Sequence, residues 1–285
     1  MCRYVAYLGE PLLLANVLYG PSNGLIHQAS AAMESRTRIN ADGFGIGWYN
    51  PDVSPEPAVF RDISPAWNNE NLRSLANTET STCILAHVRA ARRFDPVNRS
   101  NCHPFHSGRL LWMHNGDIPG RARLHRRVVS RVSDELVSRI VGNTDSELAF
   151  VLFLHLLGET SLRPCSSNDL AAAMTGVVEQ IVEWWRQDAD ERPLALNFCV
   201  ASGSSIVALR FGLNVPEVPT LHYCRGSHFV CENGLCSMRS SAAAPRSVML
   251  ASETLSDDPL WESLENGALL VVHDSSSVET RSLRL

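Results

Sequence analysis

Met1-Cys2-Arg3-Tyr4-Val5-Ala6-Tyr7-Leu8 opens the chain, and its reading decides the fold. Residues 3–8 alternate loosely in polarity, which predicts a strand that buries the N-terminus. Cys2 stands directly behind the initiator methionine. Methionine is trimmed ahead of a small residue, so the mature chain is expected to begin at Cys2. One residue would then carry both a thiol nucleophile and a free α-amine able to act as its base. The amine titrates near ~7.7–8.0 and the thiol near ~8.5, so proton exchange between them is nearly balanced at neutral pH. Position alone does not make a cysteine catalytic. The rest of the chain must supply an oxyanion hole and a substrate clamp.

The 285 residues allow one large domain or two small ones, and 45% of them are apolar, enough for a sizeable core. The net charge of −5 argues against coating nucleic acid or an anionic membrane. No lysine is present, so all 25 basic residues are arginine, which excludes a Schiff-base lysine and pyridoxal chemistry. No cofactor is expected. The start lacks the plan of a signal peptide, so the compartment reads as reducing and cytoplasmic, and most of the eight irregularly spaced cysteines read as buried small hydrophobes. Cys224, Cys231 and Cys236 with His222 and His228 match no compact ligand spacing, so no metal is expected and residues 225–246 read as a long surface loop. The longest apolar run, Phe150 to Leu157, is too short to span a membrane.

Strands are predicted at 44–49, 58–62, 83–90, 109–114, 196–202, 206–211, 220–224, 248–251 and 269–273. Helices are predicted at 12–19, from Pro119 to about Val141, at 146–157, and after Asn168 as N-cap, where Leu170, Met174, Val177, Ile181 and Trp185 form one stripe. Strands and helices are interspersed without strict βαβ alternation, which points to an α+β layered fold. Arg121, Arg123, Arg126, Arg127 and Arg131 would lie opposite Leu124, Val128 and Val132. That is an ordinary solvated face, and without interleaved aromatics it does not argue for nucleic-acid binding.

His114-Asn115-Gly116 ends a buried strand. An Asn amide and a Gly N–H there can converge on one oxyanion, although Asn-Gly is also the commonest short turn. Arg89, in His87-Val88-Arg89, can fork onto a carboxylate or serve as a structural ion pair. Asp145, in Asn143-Thr144-Asp145-Ser146-Glu147, can hold an ammonium, although either Thr144 or Asp145 would also cap a helix.

Met1-Cys2-Arg3, Asn40-Ala41-Asp42-Gly43-Phe44-Gly45, His87-Val88-Arg89, Asn101-Cys102-His103-Pro104-Phe105, His114-Asn115-Gly116 and Thr144-Asp145-Ser146-Glu147 occur in that order. Together they resemble the class II glutamine amidotransferases, which are N-terminal nucleophile hydrolases. Ser64-Pro65-Ala66-Trp67-Asn68-Asn69 and Ala251-Ser252-Glu253 with Trp261 look most like one branch, the amidotransferase subunit of the cytosolic glutathione-degradation complex. The ergothioneine-pathway γ-glutamyl amidase looks like a more distant relative.

The resemblance implies a four-layer αββα sandwich forming a single domain over 1–285. It implies Cys2 as nucleophile with its amine as base, and Asn115 and Gly116 as the oxyanion hole. Arg89 would bind the carboxylate and Asp145 the α-amine, with His87, His103 and Asn40 shaping the site. It further implies a small-molecule γ-glutamyl substrate and a partner metallopeptidase subunit. The alternative is a glutaminase subunit that supplies ammonia to a separate synthase. The family's usual Trp-Ala-Thr-His after the arginine is replaced by Ala90-Ala91-Arg92-Arg93-Phe94-Asp95. This more cationic rim favours a larger γ-glutamyl compound over free glutamine.

Overall fold

The computed structural model describes residues 2–35, 38–92, 95–158, 164–232, 235–239, 246–274 and 277–283. Its first half runs β1 (Arg3–Leu13), α1 (Leu14–Leu18), α2 (Leu25–Ala31), β2 (Phe44–Trp48), β3 (Ala58–Asp62), α3 (Glu70–Ala76), β4 (Thr80–Val88), β5 (Phe105–Ser107), β6 (Leu110–Asp117), α4 (Arg121–Val129) and α5 (Asp134–Val137). It continues with α6 (Asp145–Leu157), α7 (Ser167–Gln187), β7 (Leu194–Ala201), β8 (Ile206–Arg210), β9 (Gly212–Leu213), β10 (His222–Gly226), β11 (His228–Glu232), β12 (Leu235–Arg239), β13 (Ser247–Ala251), β14 (Glu262–Ser263), β15 (Ala268–Asp274) and β16 (Ser277–Ser282).

Two antiparallel sheets result. The first has the order β14-β10-β13-β1-β4-β2-β3, and the second β16-β15-β8-β7-β6-β5 with β9 beside β7. Successive side chains of a strand point to opposite faces, and the burial follows that rule. On β1, Tyr4, Ala6 and Leu8 enter a core shared with Leu111 and Met113 of β6 and Cys199 and Ala201 of β7. The alternate residues Val5 and Tyr7 pack instead with Leu14, Val17, Leu25, Ala29 and Leu72 of α1, α2 and α3. On β6, Leu110 and Trp112 face Phe150 and Phe153 of α6 and Val177 and Ile181 of α7. The three cores are the three interlayer spaces of an αββα sandwich, the expected fold class.

Local chemistry explains where the elements start. Thr144 accepts from the Glu147 N–H and is the N-cap of α6, which frees the Asp145 side chain for other partners. Ser166 caps α7 in a capping box with Asp169, so the cap lies two residues before the expected Asn168. The helix expected to run from Pro119 to about Val141 is two: α4 ends at Val129, and Ser133 caps the short α5. The arginine-rich α4 is not simply solvated. Arg123 and Arg127 grip Asp188, Arg123 also reaches Asp190, and Arg121 donates to the Asn143 carbonyl. Residues 225–246 are not a long loop over their described part. They form the β11–β12 hairpin, joined by a Cys231–Cys236 disulfide, with Phe229, Cys236 and Met238 sealing the helix-side core. Among the described residues no helix is long and apolar enough to cross a membrane.

Candidate active site

The ends of β1, β4, β6 and β13 carry Cys2, His87 and Arg89, Asn115 and Ser252 to one edge of the gap between the sheets. Continuing each strand's alternation settles which way they point. Cys2 follows Tyr4 into the gap, and His87 and Arg89 follow Cys83 and Leu85. Asn115 follows Met113, and Asn197 pairs with it directly across β6 and β7. Ser252 follows Val248 and Leu250. The intervening residues Arg3 and Glu253 point the other way, towards the helices, where they form a fully buried ion pair at 2.7 Å.

Cys2 is half-buried. Its Sγ lies 3.5 Å from the Ala90 N–H and 3.7 Å from the Ala90 carbonyl. Its own carbonyl accepts from Arg3 Nη1 at 2.9 Å, which fixes the backbone behind the thiol. Burial pushes the neighbouring Cys102 thiol up to about 11, and Cys102 contacts the Asp62 and Asn98 carbonyls. Met1 lies outside the described residues.

Arg89 is buried, yet among the described residues no carboxylate lies within ion-pair distance. Its Nη1 meets only the Asp42 and Pro96 carbonyls, each at 3.4 Å. Asp42 instead accepts from the Ala91 N–H at 2.8 Å, pinning the segment that passes Cys2.

The Asn115-Gly116 pair is not a turn, because it lies inside β6 opposite Asn197 and Leu196. A side chain at Gly116 would bring a Cβ to 2.0 Å from the Ala195 carbonyl oxygen, so only glycine fits there. Pairing between β5 and β6 ends at Trp112, which leaves the far edge of β6 open beyond that point. Asn115 is buried, its Nδ2 is 3.5 Å from Ser252 Oγ, and its Oδ1 has no partner among the described residues. Ser252 Oγ accepts from the Tyr4 N–H at 3.1 Å, tying the amide to the strand that carries Cys2.

Asp145 is buried at the start of α6. Burial would raise its carboxyl pKa, but Arg92, His114 and the Ile118 N–H outweigh this and hold it below the usual carboxylate range. Arg92 bridges Asp145 and Asp117; burial, helped by the Asp145 charge, lifts Asp117 to about 6 against the opposing pull of Arg92.

The histidines are neutral supports. Burial drives His87 down to about 3 and keeps His103 and His114 below the ordinary value. His87 stacks on His103 at 4.3 Å and donates to the His114 carbonyl. His114 donates to the Ala195 carbonyl and accepts from Ser146 Oγ at 2.8 Å. Asn40 lies further back, holding the Gln28 carbonyl of α2. The structure thus brings Cys2, Arg89, Asn115, Gly116 and Asp145 to one edge, with His87 and His103 beneath and Asn40 in the frame. Arg3, Glu253, Asn197 and Asp117 were not anticipated. The one available signal was a pair of ionic residues, Arg3 and Glu253, beside apolar strand runs.

A family model for class-II glutamine amidotransferases matches residues 23–284. The chain belongs to that family. It is 34% identical over 248 residues to the probable glutamine amidotransferase DUG3 of Saccharomyces cerevisiae, covering 81% of this chain and 69% of that protein. It is 29% identical over 282 residues to the gamma-glutamyl-hercynylcysteine sulfoxide hydrolase of Mycolicibacterium smegmatis, covering 98% and 99%. Among solved structures, a glutamine aminotransferase class-II domain protein from Silicibacter pomeroyi superposes with a TM-score of 0.68 at 24% identity, covering 99% of this chain and 98% of that one. The glutamine phosphoribosylpyrophosphate amidotransferase of B. subtilis gives 0.62 at 14% identity, covering 100% and 50%. These two likenesses concern the fold.

The site of this class-II amidotransferase has the parts that acyl transfer from an amide requires. Among the described residues it combines a half-buried thiol, a β-edge with an Asn amide beside it, a buried cation with no carboxylate in ion-pair distance and a charged carboxylate.

Proposed function

We propose that the protein hydrolyses the γ-glutamyl amide bond of glutathione or a related γ-glutamyl compound through a thioester on Cys2. The observation that carries this reading is the buried Arg89 guanidinium, without a carboxylate partner among the described residues, next in sequence to the Ala90 backbone that touches the Cys2 thiol. A buried charge is stable only when paired, so the site is built to receive an anion there.

In this scheme the substrate α-carboxylate forks onto Arg89 and its α-ammonium is held at Asp145. The γ-carbonyl then lies over Cys2. The thiolate attacks, Asn115 Nδ2 and the Gly116 N–H hold the oxyanion, and the Cys2 amine passes its proton to the leaving nitrogen. The C–N bond breaks and the amine departs. Water then cleaves the thioester, releasing glutamate and restoring the thiol. His87, His103 and His114 are uncharged and do no proton transfer in the scheme. They fill and orient the floor beneath Arg89 and Asn115. The chemistry uses no cofactor, and the whole chain, 1–285, is taken as one catalytic domain acting in the cytoplasm. A dipeptide leaving group would need a partner peptidase to clear it.

Free glutamine as substrate, with ammonia passed to a separate synthase, is the second reading. Family membership supports it, while the Arg92-bearing rim favours the larger substrate. Incubation with glutamine, glutathione and other γ-glutamyl peptides separates the two. Glutamate release from the peptides well above ammonia release from glutamine supports the hydrolase, and comparable rates on glutamine support the amidotransferase.

A further inference from the structure

The carboxylate assigned to the substrate ammonium is already engaged. Asp145 Oδ2 accepts from the Ile118 N–H and from Arg92 Nη2, both at 2.7 Å, while Oδ1 accepts from the Ser146 N–H at 3.0 Å with the Ser146 hydroxyl at 3.5 Å. A carboxylate oxygen has two lone-pair directions, so Oδ2 is filled, while Oδ1 keeps one direction, because the single Ser146 hydroxyl proton goes to His114 at 2.8 Å. Arg92 also lies on the outside. Its side chain is 43% exposed and that of Asp145 is 9% exposed. The guanidinium therefore lies over the buried carboxylate that an incoming ammonium would need to reach.

Arg92 has a second hold. The same Nη2 contacts Asp117, whose side chain is 44% exposed at the end of β6. The backbone leading to Arg92 is fastened, because the Ala91 N–H is bound by Asp42 and the Ala90 backbone abuts Cys2 Sγ. A side-chain swing away from Asp145 and onto Asp117 leaves those backbone contacts in place. The charges also balance. Arg92 between two carboxylates leaves one net negative charge, and an α-ammonium neutralises it.

Resting on the assignment of Asp145 as the ammonium receptor, we propose that Arg92 is a specificity-determining residue, an internal cation that fills this receptor in the empty site. The α-ammonium of a γ-glutamyl substrate displaces it, and Asp117 keeps hold of the displaced guanidinium. A ligand lacking the ammonium leaves Arg92 where it is. Arg92 therefore weakens binding of the true substrate by competition, and it shields Asp145 from being left bare under a des-amino ligand. A ligand can shift such an equilibrium only by its differential affinity for the two states, and the ammonium supplies that difference.

The test compares γ-glutamyl anilide with glutaryl anilide, which differ only in the α-ammonium, on wild type, Arg92→Ala, Arg92→Gln and Asp145→Asn. The expected result is a KM for γ-glutamyl anilide several-fold lower in both Arg92 variants. Their preference for the ammonium-bearing substrate, in kcat/KM, should rise roughly tenfold, because removing the competitor restores the full differential affinity. Thermal melting should fall modestly, because Arg92 is half-exposed while the Asp145 it leaves is buried and keeps the Ile118 and Ser146 N–H groups. A raised KM in both variants with unaltered preference overturns the proposal, since Arg92 would then merely hold Asp145 in place. An Asp145→Asn protein with intact preference overturns the ammonium assignment itself. Loss of preference in Asp145→Asn with no change in the Arg92 variants overturns only the role of Arg92.

Discussion

Arg3 and Arg89 lie near each other at one edge of the same sheet and are both buried, but their surroundings differ completely. Arg3 points to the helix side, where Glu253 pairs with its Nε at 2.7 Å and the Cys2 and Glu34 carbonyls each take one donor from Nη1 and Nη2. Glu253 is itself saturated by the Met33 N–H. Arg89 points to the inter-sheet side and, among the described residues, meets only two carbonyls at 3.4 Å. The same residue type thus does two jobs, set by the parity of its position on the strand. The satisfied arginine builds the fold, and the unsatisfied one waits for a ligand.

The sharpest way to break this contrast is to exchange the consequences. Glu253→Ala strands the Arg3 charge in the core and should cost about 3–5 kcal/mol of stability. Urea unfolding would measure it, and a loss under about 1 kcal/mol would mean the pair is not structural. Arg89→Met should do the reverse. Stability should hold or rise, because an uncompensated buried charge is removed, while kcat/KM for γ-glutamyl substrates should fall about 100-fold through lost charge-assisted bonds worth about 1.5–3 kcal/mol.

The next effect is the pH dependence of the Arg89 side. His87, His103 and His114 are held below their ordinary value by burial, His87 at about 3. Below pH ~6.5 the unfolded chain binds protons at these positions that the folded chain does not. Their contribution to stability is therefore complete above ~6.5 and is lost as pH falls below it, for His87 towards about 3. For His87 the loss should be on the order of 1.4 kcal/mol per pH unit across that window. His87→Phe should flatten the acid limb of unfolding measured between pH 4 and 7, endpoints chosen as roughly the window in which an ordinary histidine titrates. The smallest effect concerns the tie between the two sheets. Ser252→Ala removes the acceptor of the Tyr4 N–H and the neighbour of Asn115 Nδ2. It should cost about 1 kcal/mol of stability and lower kcat with little change in KM.

Much of this was legible in the sequence. Strand β3 falls at its expected residues, and α6 and most of the apolar strands fall within a few, because fully buried strands carry long apolar runs. The site residues were legible as an ordered set of motifs. Parity then turned motif into geometry: Cys2, Arg89 and Asn115 each share a face with apolar residues that are plainly core. Three features were not legible. The β11–β12 hairpin is diluted by polar residues on its exposed face. The break at 130–133 needed the Ser133 cap to be recognised. The Arg3–Glu253 pair joins residues 250 apart in sequence, and no local pattern announces it.

The most direct test of the central claim is glutamate release from glutathione by wild-type and Cys2→Ala protein of equal folded content. Wild type is expected to release glutamate and cysteinylglycine in equal amounts, and Cys2→Ala to release neither above the uncatalysed rate. Undiminished release by Cys2→Ala would contradict the account.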